Sequence, residues 1–151
     1  AGAYFGFTLL EGATYNPAGK GLLDQSVKAL KAACNFNPAS WRAQAWFGEA
    51  WAARPTSPQR ELGVKYLDGA LLIAPNQNRH EVLIARSSAR FALGQLEGAL
   101  SDANEARGLR GTWFRPHICR ARALKGLGQE QEAAKARADA ARILKSAQGT
   151  R

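Results

Sequence analysis

Four residues in the last third of the chain could recognise an anionic ligand by their types and spacing: Arg115, Ile118, Arg122 and Lys125. On an α-helix these positions share one face, because residues three, four and seven apart recur on the same side. Guanidinium groups make bidentate hydrogen bonds to carboxylates, and an apolar neighbour adds contact area. The spacing predicts a binding face for an acidic and partly apolar peptide, with an ordinary solvated basic face as the alternative.

The basic charge is concentrated in the second half of the chain. Residues 76–151 contain fourteen lysines and arginines against seven aspartates and glutamates, whereas residues 1–75 contain seven against five. The formal net charge of the 151-residue chain is +9. A protein surface with this excess of positive charge attracts acidic peptides, nucleic acid or anionic lipid. The sequence has no row of alternating basic and aromatic residues suited to base stacking, which ranks nucleic acid below a protein partner.

The sequence contains no recognisable catalytic or metal-binding pattern. His80 and His117 stand in no metal-ligand spacing, and we expect both to be surface residues near helix starts. The segment AGKG at residues 18–21 lacks the following Ser or Thr of a phosphate-binding loop and is better interpreted as a turn. Cys34 and Cys119 have no CxxC partner, and we expect them to be small buried apolar residues. The sequence predicts a protein that is not an enzyme and binds no cofactor or metal.

The elements that would position the basic face recur along the chain. The segment LGQLEGAL at residues 93–100 returns as LGQEQEAA at 127–134, an offset of 34 residues. The segment SVKALKAACNFNP at 26–38 matches GVKYLDGALLIAP at 63–75, an offset of 37 residues. The composition favours helix over strand. A pair of helices cannot bury its apolar face alone, and stacked pairs share a continuous core. The sequence therefore predicts repeated helix pairs.

We expect four such pairs in a single domain that spans residues 1–151, at about 4–38, 39–75, 76–111 and 112–147. The predicted helices are 4–15 and 22–35, 41–53 and 59–73, 80–93 and 96–107, and 116–127 and 129–147. Ser40 is the predicted N-cap of the third helix. Gly94 and Gly128 mark the predicted turns inside the last two pairs. Alanines at helical spacing are expected where neighbouring helices approach closely: Ala99, Ala103, Ala106, Ala133, Ala136 and Ala140.

Over residues 4–147 the chain resembles the tetratricopeptide repeat. The segment FGEAW at residues 47–51 is similar to the L-G-x-x-Y segment of that repeat. Alanine and proline positions of the repeat are matched by Ala99, Ala133, Pro38 and Pro75. The resemblance implies an all-α solenoid of about four helix-turn-helix repeats that forms a right-handed superhelix. It also implies that the concave groove of this superhelix binds peptides.

The geometry of this family implies which side chains face the groove. These are Arg42 and Glu49 in the second repeat, Ile84, Ser88 and Phe91 in the third, and Arg115, Ile118, Arg122 and Lys125 in the fourth. One subset of the family clamps the C-terminal carboxylate of chaperone tails with lysine, asparagine and arginine. Among the positions of this sequence that correspond to the clamp, only Arg115 has a suitable side chain, so we reject that specificity.

Three functions remain possible, in order from the most to the least favoured. The first is a protein-protein interaction scaffold or adaptor that binds a partner peptide, acidic peptides being one option. The second is a constitutive structural or assembly subunit of a larger complex, and the third is nucleic-acid binding through the basic second half. The oligomeric state is not predicted.

The compartment is not assigned either. The chain contains no methionine, so we expect a processed or truncated start, which makes an organelle or the periplasm as plausible as the cytoplasm. The sequence contains no run of about 18 apolar residues, so it predicts no transmembrane span.

Overall fold

The computed structural model describes Ala3 and residues 20–149. Seven α-helices lie in residues 20–149, and they pack in consecutive pairs. The chain divides into two compact units, Ala1–Pro75 and Asn76–Arg151. The predicted all-α class and the repeated helix pairs are therefore confirmed. The predicted first helix, residues 4–15, lies outside the described residues.

Three helices of the first unit are described: α1 (Lys20–Phe36), α2 (Trp41–Ala52) and α3 (Ser57–Ile73). Helix α2 packs against both α1 and α3. Its start is set by Ser40, whose side-chain oxygen accepts a hydrogen bond from the backbone N–H of Ala43 at 3.2 Å. This confirms the predicted N-cap, which satisfies one of the free N–H groups at a helix start.

The core of the first unit is built from residues that recur at helical spacing. Leu30 on α1 and Phe47 and Ala50 on α2 are buried together. The rings of Phe47 and Tyr66 lie 4.5 Å apart between centroids, which joins α2 to α3. Trp51 packs edge-on against Phe47 at 6.2 Å. Aromatic side chains thus contribute to the contacts between helices in this unit.

The second unit contains a short 3₁₀ turn, Asn76–Asn78, and four helices. These are α4 (Arg79–Ala92), α5 (Leu96–Leu109), α6 (Phe114–Gly126) and α7 (Glu130–Gly149). Helices α4 and α5 form one pair and α6 and α7 the next. Helix α6 also packs against both α5 and α4, so the first helices of the two pairs are neighbours.

The repeated LGQ segment forms the turn inside each of these two pairs. Gly94 and Gly128 have φ angles of 76° and 78°, in the left-handed region that favours glycine. After Gly94, the N–H of Gln95 donates to the carbonyl of Arg90 at 2.9 Å, and the N–H of Gly94 donates to that of Phe91 at 3.0 Å. Two equivalent bonds of 2.9 and 3.0 Å end α6. The repeat therefore encodes a Schellman C-cap.

Alanines line the contacts between helices in the second unit. The predicted small residues are all buried, with exposed fractions of 0–1%: Ala99, Ala103, Ala106, Ala133, Ala136 and Ala140. Two of them, Ala133 and Ala136 of α7, form one buried cluster with Ala121 and Leu124 of α6. Short side chains at these positions let the helix backbones approach closely, which explains their recurrence in the sequence.

A buried carboxylate joins α4 to α5. The side chain of Asp102 is 3% exposed and accepts hydrogen bonds from Arg86 Nη2 at 2.7 Å and Arg86 Nε at 3.0 Å. Arg90 Nη1 donates to the same carboxylate at 2.9 Å. Beside it, Ser87 Oγ donates to the carbonyl of Ala99 at 2.7 Å. These four bonds fix the two helices of the third repeat relative to each other.

The prediction that both histidines are surface residues is wrong. His80 and His117 are each only 6% exposed. Both stand near helix starts as expected, but hydrogen bonds to residues from neighbouring segments keep their rings inside. His117 Nε2 donates to the carbonyl of Gly111 at 3.1 Å, because that carbonyl can only accept.

Candidate functional site

The structure brings two predicted binding residues of different repeats, Phe91 and Arg122, into contact in the second unit. Ser88 of α4 lies opposite Cys119 of α6, with 4.0 Å between Oγ and Sγ. Further along, the guanidinium carbon of Arg122 lies 4.5 Å from the centroid of the Phe91 ring. Because α4 and α6 are neighbours, side chains predicted separately for two repeats form one surface. We call this surface the α4/α6 face.

The cations of the α4/α6 face are open to solvent. Arg115, Arg122 and Lys125 are exposed, and Ile118 between them is 37% exposed. Within Ala3 and residues 20–149, no carboxylate forms an ion pair with any of these three cations. Their positive charge is therefore available to an anionic partner, with Ile118 and the half-buried Phe91 as apolar contacts.

One predicted residue of this set contributes little surface. Ile84 is only 5% exposed and lies with Val82 and Leu83 among the buried residues of α4. Three successive apolar side chains of α4 are therefore buried. The buried face of this helix is wider than the sequence pattern predicted, and it includes Ile84. The accessible apolar area of the face therefore rests on Phe91 and Ile118.

The predicted residues of the second repeat belong to the first unit. Arg42 on α2 is exposed, and its guanidinium carbon lies 4.6 Å from the Trp41 ring centroid. Glu49, two turns further along α2, is half-buried. That these two residues share a groove with the α4/α6 face stays a prediction.

Cys119 is a member of the α4/α6 face that the sequence did not indicate as a binding residue. Burial raises the pKa of its thiol, and this effect outweighs the hydrogen bond from Ser88 and the nearby charges of Arg122 and Arg115, which lower the pKa. A protonated, enclosed thiol is a poor nucleophile. Cys119 therefore acts as a small packing residue between α4 and α6, but both it and Cys34 are half-buried and not fully buried as the sequence predicted. Burial also raises the pKa of the Cys34 thiol.

Two other kinds of site are absent from the described residues. Among Ala3 and residues 20–149, no three histidine, cysteine, aspartate or glutamate side chains are grouped in a way that could hold a metal ion. In the same residues, no helix combines the length and apolar character that crossing a membrane requires.

Comparisons with known proteins identify the fold. No protein-family model matches the chain. No curated protein matches it in sequence either. Among solved structures, MamA MSR-1 superposes with a TM-score of 0.67 at 19% identity, over 84% of this chain and 70% of that one. A MamA RS-1 double mutant gives a TM-score of 0.69 at 16% identity, over 91% and 74%.

A further structure of MamA gives a TM-score of 0.68 at 18% identity, over 90% of this chain and 71% of that one. MamA is a tetratricopeptide-repeat protein. The similarity covers most of the chain, while the identity is low enough that it bears on the fold alone. The predicted resemblance is confirmed at that level: the chain folds as consecutive helix pairs in the manner of the tetratricopeptide-repeat protein MamA.

Proposed function

We propose that this chain is a non-enzymatic interaction scaffold that binds a partner peptide on the α4/α6 face. The observation that carries the proposal is the set of exposed cations on α6, which have no ion-pair partner among the described residues and flank an exposed isoleucine. The tetratricopeptide-like fold supports it, because such folds are typical of protein-protein interaction scaffolds. Fold alone does not determine function, so the argument rests on these side chains.

The positions of the cations specify the peptide. Arg115 and Arg122 are seven residues apart on one helix, a rise of about 10 Å at about 1.5 Å per residue. An extended peptide advances about 3.3 Å per residue. Because alternate side chains of an extended peptide share a face, carboxylates four residues apart, about 13 Å, would lie on one face within reach of both flexible guanidinium groups. An apolar residue between them would meet Ile118. The proposed ligand is an extended segment in which acidic residues flank an apolar one.

Electrostatic repulsion offers a direct test. The triple variant Arg115→Glu, Arg122→Glu, Lys125→Glu reverses the charge of the face. A matched control, Arg107→Glu, Arg137→Glu, Lys145→Glu, makes the same change in net charge at exposed positions on α5 and α7. Binding of fluorescent peptides with the acidic-apolar-acidic pattern is measured by anisotropy at physiological salt, after circular dichroism has shown equal helix content.

We expect saturable binding to the unmodified chain and to the control, with a loss of about 100-fold in the face variant, since hydrogen bonds to charged groups each contribute about 1.5–3 kcal/mol. Equal losses in the two triple variants would mean that only net charge matters, and would refute a specific peptide site. Single-stranded DNA is a parallel probe. Affinity for DNA that falls steeply with salt and shows no sequence preference would favour the nucleic-acid function instead.

A second candidate function is favoured by exposed apolar side chains on the first unit. Phe36 at the end of α1 is 93% exposed, and Leu72 and Ile73 at the end of α3 are 87% and 43% exposed. Large exposed apolar side chains of this kind are found at interfaces, although here the end of α1 and the end of α3 are separate exposed positions. A structural subunit of a larger complex would bury them permanently. The double variant Phe36→Ser, Leu72→Ser should then release the chain from a stoichiometric complex in native extracts, as measured by size-exclusion chromatography, while the reversed-charge variant above stays bound.

A further inference from the structure

A second cluster of polar groups lies in the same unit, where α5 ends and α4 begins. Arg110 Nη1 lies 3.2 Å from His80 Nε2. The His80 ring packs edge-on against Trp113 with 5.3 Å between centroids and 87° between planes. The guanidinium carbon of Arg110 lies 5.7 Å from the centroid of the same indole. Three side chains from α4, the end of α5 and the start of α6 thus hold one another in place.

The contact between Arg110 and His80 assigns different roles to the two ring nitrogens. A guanidinium group is always protonated and can only donate hydrogen bonds. In a hydrogen bond between the two groups, His80 Nε2 is therefore the acceptor, and Nδ1 is the ring nitrogen left to donate. His80 Nδ1 has no hydrogen-bond partner in residues 20–149 or Ala3. The residue is 6% exposed, but Nδ1 is not among the fully buried polar atoms, so it is a nitrogen without an acceptor in the described part of the chain that solvent or a ligand can reach.

His80 lines an open pocket at the surface of the second unit. A pocket of about 350 Å³ is lined by Asn76, Gln77, His80, Leu109 and Arg110. Two amide side chains therefore join the imidazole and the guanidinium group, and neither amide makes a side-chain hydrogen bond within the described residues. The apolar member of this wall is Leu109, which is 49% exposed.

The pocket also has an uncompensated positive charge. No carboxylate in residues 20–149 forms an ion pair with Arg110. Glu105 forms an ion pair with Arg79 at 3.3 Å. Glu81 accepts from the neutral amide of Asn78 at 3.0 Å and keeps its charge, but neither carboxylate lines the pocket. An open pocket with such a cation, an unpartnered ring nitrogen and two amides is complementary to negative charge.

We propose that this pocket binds a compact oxyanion, a carboxylate or a phosphate group. Arg110 supplies the charge through the guanidinium N–H groups that are not directed to His80. His80 donates from Nδ1, and Asn76 and Gln77 donate amide hydrogens to the remaining oxygens. Trp113 holds the arginine and the histidine in place without contacting the anion. The site uses none of the side chains of the α4/α6 face and does not depend on the peptide function proposed for it.

The experiment uses the full chain labelled with ¹⁵N. Sodium phosphate and, separately, sodium acetate are titrated at constant ionic strength, so that general screening does not change. The signals of the Arg110 Nε–H, the His80 ring nitrogens and the Trp113 indole are followed by NMR. We expect saturating shifts confined to residues 76–80 and 109–113. If phosphate binds more tightly than acetate, the ligand of the pocket is a phosphate group. If acetate binds more tightly, the ligand is a carboxylate.

Two variants make the test specific. Arg110→Gln removes the cation that lines the pocket and should weaken binding about tenfold or more, the effect expected for one charged hydrogen bond. Arg115→Gln is the matched control, because its guanidinium carbon lies 5.8 Å from the same Trp113 centroid but Arg115 does not line the pocket. We expect the control to bind as the unmodified chain does.

Should Arg110→Gln lose helix content, the exposed pair Asn76→Ala, Gln77→Ala replaces it, since neither amide makes a side-chain hydrogen bond within the described residues. Shifts that rise linearly with concentration, that spread equally to Arg107 and Lys145, or that persist unchanged in the pocket variants overturn the proposal. None of these outcomes affects the peptide measurement on the α4/α6 face.

Discussion

The contact between α2 and α3 depends on two glycines that leave no space for a side chain. A Cβ atom at Gly63 would lie 2.6 Å from both the carbonyl oxygen of Gly48 and the backbone nitrogen of Ala52, and 2.9 Å from the Cβ of Ala52. A Cβ atom at Gly48 would lie 2.8 Å from the Gly63 carbonyl oxygen. Real carbon atoms do not approach backbone so closely. Gly63→Ala must therefore push the two helices apart.

The effect of Gly63→Ala on the free energy of unfolding is the sum of two opposing contributions. Replacing glycine by alanine inside a helix stabilises it by about 1 kcal/mol. Overpacking a close contact costs about 1–3 kcal/mol, and the upper end applies here because the contacted atoms of Gly48 and Ala52 are backbone atoms that cannot rotate away. We expect the free energy of unfolding to fall by about 2 kcal/mol for Gly63→Ala. For a chain of this size the melting temperature would drop by about 4–8 °C.

Two other glycines serve as controls for the same substitution. At Gly108 near the end of α5, an added Cβ would meet nothing within 4 Å. At Gly69, in the same helix as Gly63, it would meet only the flexible end of Gln44 at 3.0 Å. Gly108→Ala should be neutral or stabilising by up to about 1 kcal/mol, and Gly69→Ala should lie close to it.

The assay is urea unfolding followed by circular dichroism, with thermal melts as a second measure. The reasoning fails if Gly63→Ala is as stable as the unmodified chain or more stable, because the gain in helix propensity would then exceed the cost of the contact. It also fails if Gly69→Ala is destabilised equally, since the loss would then be a property of the helix and not of the close approach to α2.

Three further predictions concern the second unit. Asp102→Ala leaves Arg86 and Arg90 without their buried carboxylate and should lower the free energy of unfolding by about 3 kcal/mol, measured by urea unfolding; Asp102→Asn should lose less. Gly94→Ala forces alanine into a left-handed conformation in otherwise open space and should cost about 1 kcal/mol in the same assay. The raised pKa and burial of Cys119 should make its alkylation by iodoacetamide at pH 8 about tenfold slower than that of free cysteine, with the difference abolished in urea. Peptide mass spectrometry locates the modified thiol.

Features that depend on residues close in sequence were predicted well. The recurrence of Gly94 and Gly128 indicated the turns, because a left-handed C-cap needs glycine and its hydrogen bonds reach back only a few residues. The buried alanines followed from helical spacing for the same reason. Ser40 was recognisable as an N-cap because it bonds three residues ahead. Such patterns are local, so a single sequence contains all the information they need.

Features that depend on distant partners were missed. His80 is inside because Arg110, thirty residues later, bonds its ring. Asp102 resembles an ordinary solvated helix charge until α4 brings Arg86 beside it, sixteen residues away in sequence. The stacking of Arg122 on Phe91 similarly requires α4 and α6 to be neighbours. Helical spacing predicted which residues share a face of one helix. It did not predict which residues of another helix that face would contact.

The charge of the α4/α6 face follows from where the acidic residues of the second unit are engaged. Asp102 is held by two arginines of α4, Glu105 by Arg79, and Asp139 by Arg142 within α7. Helix α6 itself contains no acidic residue. With Glu132, which pairs with Lys135, four of the seven acidic residues of the second unit are thus held in ion pairs that do not involve the cations of the α4/α6 face. The exposed cations of α6 are consequently more than a reflection of net charge, and an acidic partner would complete the neutralisation that the described part of the chain does not provide.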